Sequence, residues 1–401
     1  MAASTNKRIY YAVHQVGFQP DGGGDWQTAK GIQSVGMTTN FNLDQVFQLG
    51  QLAIYENIEE IPDIEVTLNK VLDGRAPVYL SATQGAAEPT LAGRSNEKIT
   101  FALSIFPDSA TASEGNPDSM VQCSGMYVSS VAYNFPLDDN FNEDVTLVGN
   151  SKIWYNDPEI EATNPAIDEI PDSGIFQGGF SQSSNDAPTG SGGVNRREAM
   201  LFTVDTGGHP SGDANGYHTD PDATCLPTAV FGINPYGANL KSNGEDFDAH
   251  ISNITVSTDL GREEINELGR KGPYLRSVTF PVEVTCEVEV TSTSGDMVSA
   301  TEFGIRTPGT GDACSPGGNL EDSTIRIATC EGTRISLGAK NKLASVNYSG
   351  GDAGGGNVAV SYTFTTFNDF TVVHPQDPAG STFYTNRESW LVTLPYTTLN
   401  S

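Results

Sequence analysis

Six side chains of metal-ligand type fall within one polar stretch: Asp205, His209, Asp213, His218, Asp220 and Asp222. Carboxylate oxygens and imidazole nitrogens on glycine-rich loops are donors that a divalent cation accepts. Their spacing is irregular and follows no recognised metal-binding loop, so the stretch reads as an acidic, hydrophilic loop. Gly332-Thr-Arg-Ile-Ser-Leu-Gly-Ala-Lys340 has the glycines and lysine of a phosphate cradle in the wrong order, and reads as an edge strand and turn. Asp21-Gly-Gly-Gly-Asp25 and Gly350-Gly-Asp-Ala-Gly-Gly-Gly356 read as flexible turns. The chain contains no nucleophile elbow, no zinc-protease helix motif and no P-loop. The five histidines, His14, His209, His218, His250 and His374, show no partnering from spacing alone. Carboxylates are so abundant that choosing two as a glycosidase dyad would be arbitrary. The expectation is a protein with no catalytic centre, no bound metal and no cofactor.

The elements that would position any site are mostly strands. Ile32 to Thr39 and Ile251 to Thr258 alternate apolar and polar residues. In a longer run, Val282, Val284, Cys286, Val288 and Val290 point one way, and Glu283, Thr285, Glu287, Glu289 and Thr291 the other. One face of that strand packs on a core and the other is acidic. Ile64, Val66 and Leu68 keep the same parity against Glu65, Thr67 and Asn69. Further strands are expected at Ile99–Ile105, Val145–Val148 and Val358–Phe364. Two short helices are expected. Asn42–Leu49 brings Leu43, Val46 and Phe47 to one face and stops at Gly50; Arg262–Leu268 is capped by Asp259 and stops at Gly269. The fold class is mainly β, a β-sandwich or open barrel with a flanking helix.

These elements occur twice. Ile32–Tyr55 aligns with Ile251–Tyr274: Val35 faces Ile254, Thr39 faces Thr258, Leu49-Gly50 faces Leu268-Gly269, and Tyr55 faces Tyr274. After one residue drops out, Ile64-Glu-Val-Thr67 faces Val282-Glu-Val-Thr285. Upstream, Gly17-Phe-Gln-Pro-Asp-Gly22 matches Gly232-Ile-Asn-Pro-Tyr-Gly237. Downstream, Val128-Ser-Ser-Val131-Ala-Tyr133 matches Leu343-Ala-Ser-Val346-Asn-Tyr348. Period-2 patterning predicts neither the shared glycine and proline positions nor their order, so the chain reads as a tandem duplication. The expected organisation is a first β domain over 1–155, a Gly/Ser/Pro-rich acidic insertion over 156–224, a second β domain over 225–375 and a C-terminal arm over 376–401. The insertion holds one strand-like stretch, Arg196–Val204, and the arm holds one apolar run, Trp390–Leu394.

Fifty acidic against 21 basic residues give a formal charge of −29. Such a surface repels phosphate backbones and anionic lipid heads, so ordinary nucleic-acid or membrane binding is not expected. Five cysteines, Cys123, Cys225, Cys286, Cys314 and Cys330, include no C-x-x-C and read as free thiols. The N-terminal Met-Ala-Ala-Ser-Thr-Asn-Lys-Arg leads into no apolar run of signal-peptide type, and no stretch has the apolar length of a membrane span.

Gly36–Gly50, running on through Tyr55-Glu-Asn-Ile-Glu-Glu-Ile-Pro-Asp-Ile-Glu-Val-Thr-Leu to Gly74, resembles the tail tube proteins of long-tailed double-stranded DNA bacteriophages. The resemblance covers both repeats and neither 156–224 nor the extreme C-terminus. It implies two tandem β-sandwich domains, each with a short flanking helix, and inner sheets that join into a barrel around a lumen. It further implies a virion protein, assembled in the host cytoplasm. Three two-domain chains then make a pseudo-hexameric ring, rings stack, and DNA passes through without specific binding. Sheath, terminator, baseplate or hub and tape-measure proteins are the implied partners. Glu283, Glu287 and Glu289 are the expected lumen-lining residues. Other readings are a tail terminator, completion or distal tail protein of related fold, and a two-module β-sandwich adhesion protein. An envelope-degrading hydrolase stands furthest from the sequence.

Overall fold

The computed structural model describes residues 14–21, 26–50, 52–106, 119–156, 200–206, 230–232, 249–269, 272–292, 322–329, 331–349 and 358–379, with the single residues 9, 11, 23 and 194. The elements of the first copy are β1 (His14–Pro20), β2 (Gln27–Thr28), β3 (Ile32–Asn40), β4 (Leu43–Phe47), β5 (Ile54–Glu59) and β6 (Asp63–Val71). They continue with α1 (Val78–Ala82), α2 (Leu91–Arg94), β7 (Ile99–Ile105), β8 (Ser119–Pro136), β9 (Asn142–Gly149) and β10 (Ser151–Asn156). Then follow β11 (Met200–Thr206), β12 (Val230–Gly232), β13 (Ala249–Asp259), β14 (Arg262–Ile265), β15 (Leu275–Val278) and β16 (Glu283–Ser292). The last are β17 (Ser323–Thr329), β18 (Arg334–Ser336), β19 (Lys342–Ser349), β20 (Ala359–Phe367) and β21 (Thr371–Val373). The fold is mainly β, and every pairing between these strands is antiparallel.

The sequence alternation becomes a face. In β6 and β16 the apolar residues are buried (Ile64, Val66 and Leu68; Val284, Cys286, Val288 and Val290), while Glu65, Thr67, Glu283 and Glu287 are exposed. Each fully buried aliphatic side chain contributes about 1.5–3 kcal/mol of transfer free energy, so the parity of these strands is strongly fixed. Four strands of the first copy pair in the spatial order β3-β6-β9-β8. Four of the second pair as β13-β16-β20-β19. The last strand of the first set, β8, pairs with the first strand of the second, β13. Eight strands thus form one continuous sheet with two like halves joined head to tail.

The 18-residue β8 serves two sheets. Its C-terminal part pairs with β9 and β13, and its N-terminal part with β7 and β10, continuing into β1 and β2. Between the parts lie Gly125, at φ 64°, and a bulge between Val128 and Ser130, devices that turn a strand at a sheet corner. In the second copy the covering layer is a separate sheet, β12-β11-β17-β18-β21. One cluster of buried side chains runs through both copies, from Val16 to Val372.

Several expectations are corrected. The segments read as flanking helices are β-hairpins: β4 pairs with β5, and β14 with β15. Leu43, Val46 and Phe47 have i, i+3, i+4 spacing, but in β4 Leu43 and Phe47 share one face and Val46 takes the other, the bulge at this point lying on β5 at Tyr55. Gly50 (φ 93°) and Gly269 (φ 87°) sit in the hairpin turns rather than ending helices. Asp259 accepts from the Gly261 amide at 3.0 Å, a turn contact and not a helix cap. Helix lies instead at α1 and α2, between β6 and β7 of the first copy. The Gly332–Lys340 run holds β18, which pairs on both sides with β17 and β21 and is no edge strand. The strand expected in the insertion is β11, and it is built into the second sheet between β12 and β17.

The alignment of the long strands also shifts by two residues. Both copies carry bulges at matching places: between Ile32 and Ser34 and between Ile251 and Asn253, and again between Val128 and Ser130 and between Leu343 and Ser345. Counting pairs outward from these bulges puts Thr67 in the place of Glu287 and Glu65 in the place of Thr285. The shared Glu-Val-Thr motif aligns by composition, whereas the ladder aligns by bulges; period 2 preserves the buried face either way.

Candidate functional site

The solvent face of the eight-stranded sheet is built from short hydroxyl, amide and carboxyl side chains. One row across all eight strands reads Ser34, Asn69, Asp144, Ala132, Ser257, Thr285, Thr365, Lys342. The next reads Asn142, Asn134, Thr255, Glu287, Thr363, Ser345. Neighbours hydrogen-bond across strands. Asn69 Nδ2 donates to Asp144 Oδ1 at 2.7 Å, Asn134 Nδ2 to Asp144 Oδ2 at 3.1 Å, and Thr255 Oγ1 to Asn134 Oδ1 at 3.3 Å. The Ser361 hydroxyl donates to Glu287.

Glu283, Glu287 and Glu289 all lie on this face of β16, the first two exposed and the third half-buried. Through the shifted register, their places in the first copy are taken by Asp63, Thr67 and Asn69, so the three acids recur only at Asp63. The first copy carries charge on other rows of the face, at Glu65 and Asp144. A shallow groove crosses the junction of the copies, lined by Ser130, Asp144, Asp259, Gly261 and Glu283.

The β8–β13 junction is closed by two arginines on the second hairpin. Arg262 donates from Nε to the Val128 carbonyl at 2.7 Å and from Nη2 to the Ser95 carbonyl at 2.6 Å, and lies 4.7 Å from the centre of the Tyr127 ring. Burial lowers its pKa to about 10. Arg276 Nη2 reaches Asp63 Oδ1 at 2.5 Å and also pairs with Glu264, and Arg276 Nε donates to Asn150 Oδ1 at 3.1 Å. Burial alone would raise the Asp63 carboxyl, but hydrogen bonds from Asn42, Arg276 and Asn150 hold it below its ordinary value.

A second set of polar contacts ties the end of the second copy to the helices of the first. Arg94 and Asp377, both with fully buried side chains, form an ion pair 283 residues apart in sequence. Arg94 Nη1 also donates to Thr83 Oγ1 at 2.9 Å. The Phe370 ring lies 5.7 Å from Tyr79 and 6.4 Å from Tyr133. Glu143, wholly buried, accepts from the amides of Val78 (2.5 Å) and Tyr79 (3.0 Å) and from the Tyr133 hydroxyl (2.7 Å). Burial raises its carboxyl, and those hydrogen bonds oppose the rise.

The outer edges of the sheet, β3 and β19, have no strand beside them among the described residues. Apolar side chains are exposed near both: Phe41, Leu43, Phe47, Leu49, Leu52, Tyr55 and Ile58 on the first hairpin and its approach, and Tyr348 and Phe367 at the far edge. Neither the edges nor the two arginines were singled out from sequence; the signal that could have found them is the repeat, which makes β19 the counterpart of β8. Of the possible metal ligands only Asp205, on β11, falls in the described residues; the rest of that set, and the Trp390–Leu394 run, lie outside them. Cys123 and Cys286 are free and buried. Among the described residues no group of side chains could hold a metal ion, and no helix is long and apolar enough to cross a membrane.

The fold and this face define a class: a mainly β protein in which two like four-stranded halves share one sheet, with one face polar and acidic and both outer edges unpaired among the described residues. No family model matches the chain, and no curated protein matches it. Solved structures with similarity include a chain of the anti-feeding prophage baseplate, at 10% identity and TM-score 0.30 over 38% of this chain and 98% of that one. A chain of the anti-feeding prophage tube-terminating cap aligns at 11% identity and TM-score 0.29, over 39% and 99%. A chain of the sheath–tube complex of an extracellular contractile injection system aligns at 13% identity and TM-score 0.27, over 37% and 92%.

Proposed function

We propose that this chain is a structural subunit of a phage-type tail, a tube protein that closes into rings of three chains and six copies around a lumen. The observation that carries the reading is the head-to-tail junction of the two copies. A sheet whose second half repeats its first has complementary ends, and complementary ends propagate from chain to chain until rotation closes the circle. Closure removes the open edges that otherwise invite uncontrolled strand pairing. The polar face then lines the passage, with Glu283, Glu287 and Glu289 among its acids. Carboxylates repel a phosphate backbone and short hydroxyl side chains give bases nothing to stack on, so DNA passes without being held.

The role is structural rather than catalytic, in the virion, with assembly in the host cytoplasm. Sheath, terminator, baseplate or hub and tape-measure proteins are the partners of such a tube. The recurring Leu-Gly segments and Glu-Val-Thr strands, on which the tail-tube resemblance rests, support the same class.

Electron microscopy of the purified full chain, with its mass measured in solution, tests this. Hollow rings of three chains that stack into tubes are expected. Single rings that never stack would instead favour a terminator or distal tail protein. A chain that stays monomeric at high concentration would end the proposal.

A further inference from the structure

Resting on the ring reading, we infer the register and the chemistry of the contact between chains: β19 of one chain pairs antiparallel with β3 of a second copy, with Thr38 opposite Asn347. The β8–β13 seam is the template. The matched bulges superpose β3 on β13 and β19 on β8, placing Met37 on Val256, Thr39 on Thr258, Tyr348 on Tyr133 and Val346 on Val131. Inside the chain Val256 lies opposite Tyr133, Ser257 opposite Ala132 and Thr258 opposite Val131. Carried to the outer edges, this sets Met37 opposite Tyr348, Thr38 opposite Asn347 and Thr39 opposite Val346.

Burial supports the transfer. Tyr133, Val131 and Val256 are at most 1% exposed, whereas Tyr348 is 59% exposed and Val346 and Met37 are half-buried. The edges thus bare the side chains that the internal seam covers.

The two seams differ in chemistry. The internal one is clamped by Arg262 over Tyr127 and by Arg276 on Asp63. The same positions at the outer seam hold Leu43, Lys342 and Asn57, with Glu283 in the place of Asp63. Leu43 and the neighbouring Phe41 are 58% and 59% exposed. The contact between chains is therefore a backbone ladder flanked by apolar side chains, without guanidinium clamps. Apolar burial is strengthened rather than screened by salt, so this seam holds at high ionic strength.

The test uses the full chain carrying Thr38→Cys with Asn347→Cys, oxidised mildly, beside a slipped pair, Thr38→Cys with Ser345→Cys. Within one chain the two edges are seven strand spacings apart, about 33 Å, so any bond between them joins two chains. A two-residue slip displaces the Cα atoms by about 7 Å along the strand, outside disulfide reach. The expected result is a covalent series ending at three chains for the first pair and none for the second, with rings that survive 1 M salt, on the order of ten times the salt at which the screening length is ~10 Å. Rings in which the slipped pair bonds, or neither does, overturn the register and leave the ring standing. Rings that fall apart in salt overturn the apolar seam. Absence of both rings and bonds overturns the ring reading itself.

Discussion

Replacing Asp377 with Asn tests the contact that ties the end of the second copy to the first. The Arg94 and Asp377 side chains are both fully buried, and Thr83 also accepts from the guanidinium. Asp377 Oδ1 also accepts from the Ala379 amide at 3.0 Å. Burial raises the Asp377 carboxyl, and Arg94 opposes that rise, so the pair holds its charges against desolvation only while both partners are present. Removing the anion takes from the buried guanidinium the carboxylate it is paired with. Breaking such a pair from one side costs about 3–5 kcal/mol, which is about two to four decades in the unfolding equilibrium. Removing both, as Arg94→Met with Asp377→Leu, should recover most of that loss, because a packed apolar pair of similar volume is often neutral. Urea unfolding of the unassembled parent, Arg94→Met, Asp377→Leu and the double variant, followed by fluorescence of the buried Trp26, gives the four corners of the cycle, with Asp377→Asn measured beside them. An Asp377→Asn variant within about 1 kcal/mol of the parent, or a cycle without coupling, would refute the argument.

Arg262→Leu, which gives the internal seam the residue of the outer one, should destabilise by about 2–4 kcal/mol, since three carbonyls lose a charged donor and Tyr127 its cation; urea unfolding reads it. Glu331 is buried, which alone would raise its carboxyl, but His374, Thr329 and Thr333 hold it below the ordinary value near 4.5. Its folded-state value being the lower, its stabilisation is fully present above the ordinary value and is lost as pH falls from there through the folded-state value; Glu331→Gln should flatten the acid limb of a stability–pH curve. Burial pushes the Cys123 thiol up to about 11 and the Cys286 thiol up to about 12, so neither should be alkylated at neutral pH until the chain unfolds, as peptide mass mapping would show. Gly338→Ala should destabilise by at least about 1–3 kcal/mol in thermal melts, because φ is 69° and a Cβ would meet Asp369 Oδ2 at 2.4 Å.

Strands were legible wherever alternation was long. Val282–Thr291 declares both its buried and its acidic face, and β16 keeps both. The duplication was legible because glycines, prolines and turn residues recur in order, independent of face. The hairpins were misread as helices because Leu43, Val46 and Phe47 match the helical spacing, and so short a window bounded by glycine does not separate a helix from one arm of a hairpin. The two-residue misalignment has a similar origin: Glu-Val-Thr matches itself at any even shift, and only the bulges, set by pairing between distant strands, fix the register. Glu283, Glu287 and Glu289 were legible as one acidic face. Arg262 and Arg276 were not, because what they clasp lies on strands and loops more than a hundred residues earlier.

Phe370 makes the two halves of the chain interdependent. Its ring sits among aromatic side chains of the other copy, and Asp377, a few residues on, neutralises a cation there. In the proposed ring, a subunit of one copy would have to complete that core from a separate molecule. Interlocked in this way, the two halves depend on each other for a closed core. A cut between them would bare Tyr79 and Tyr133 and leave Arg94 charged in the core. One chain thus carries both sides of this contact, so a substitution on either side is constrained by what the other side presents.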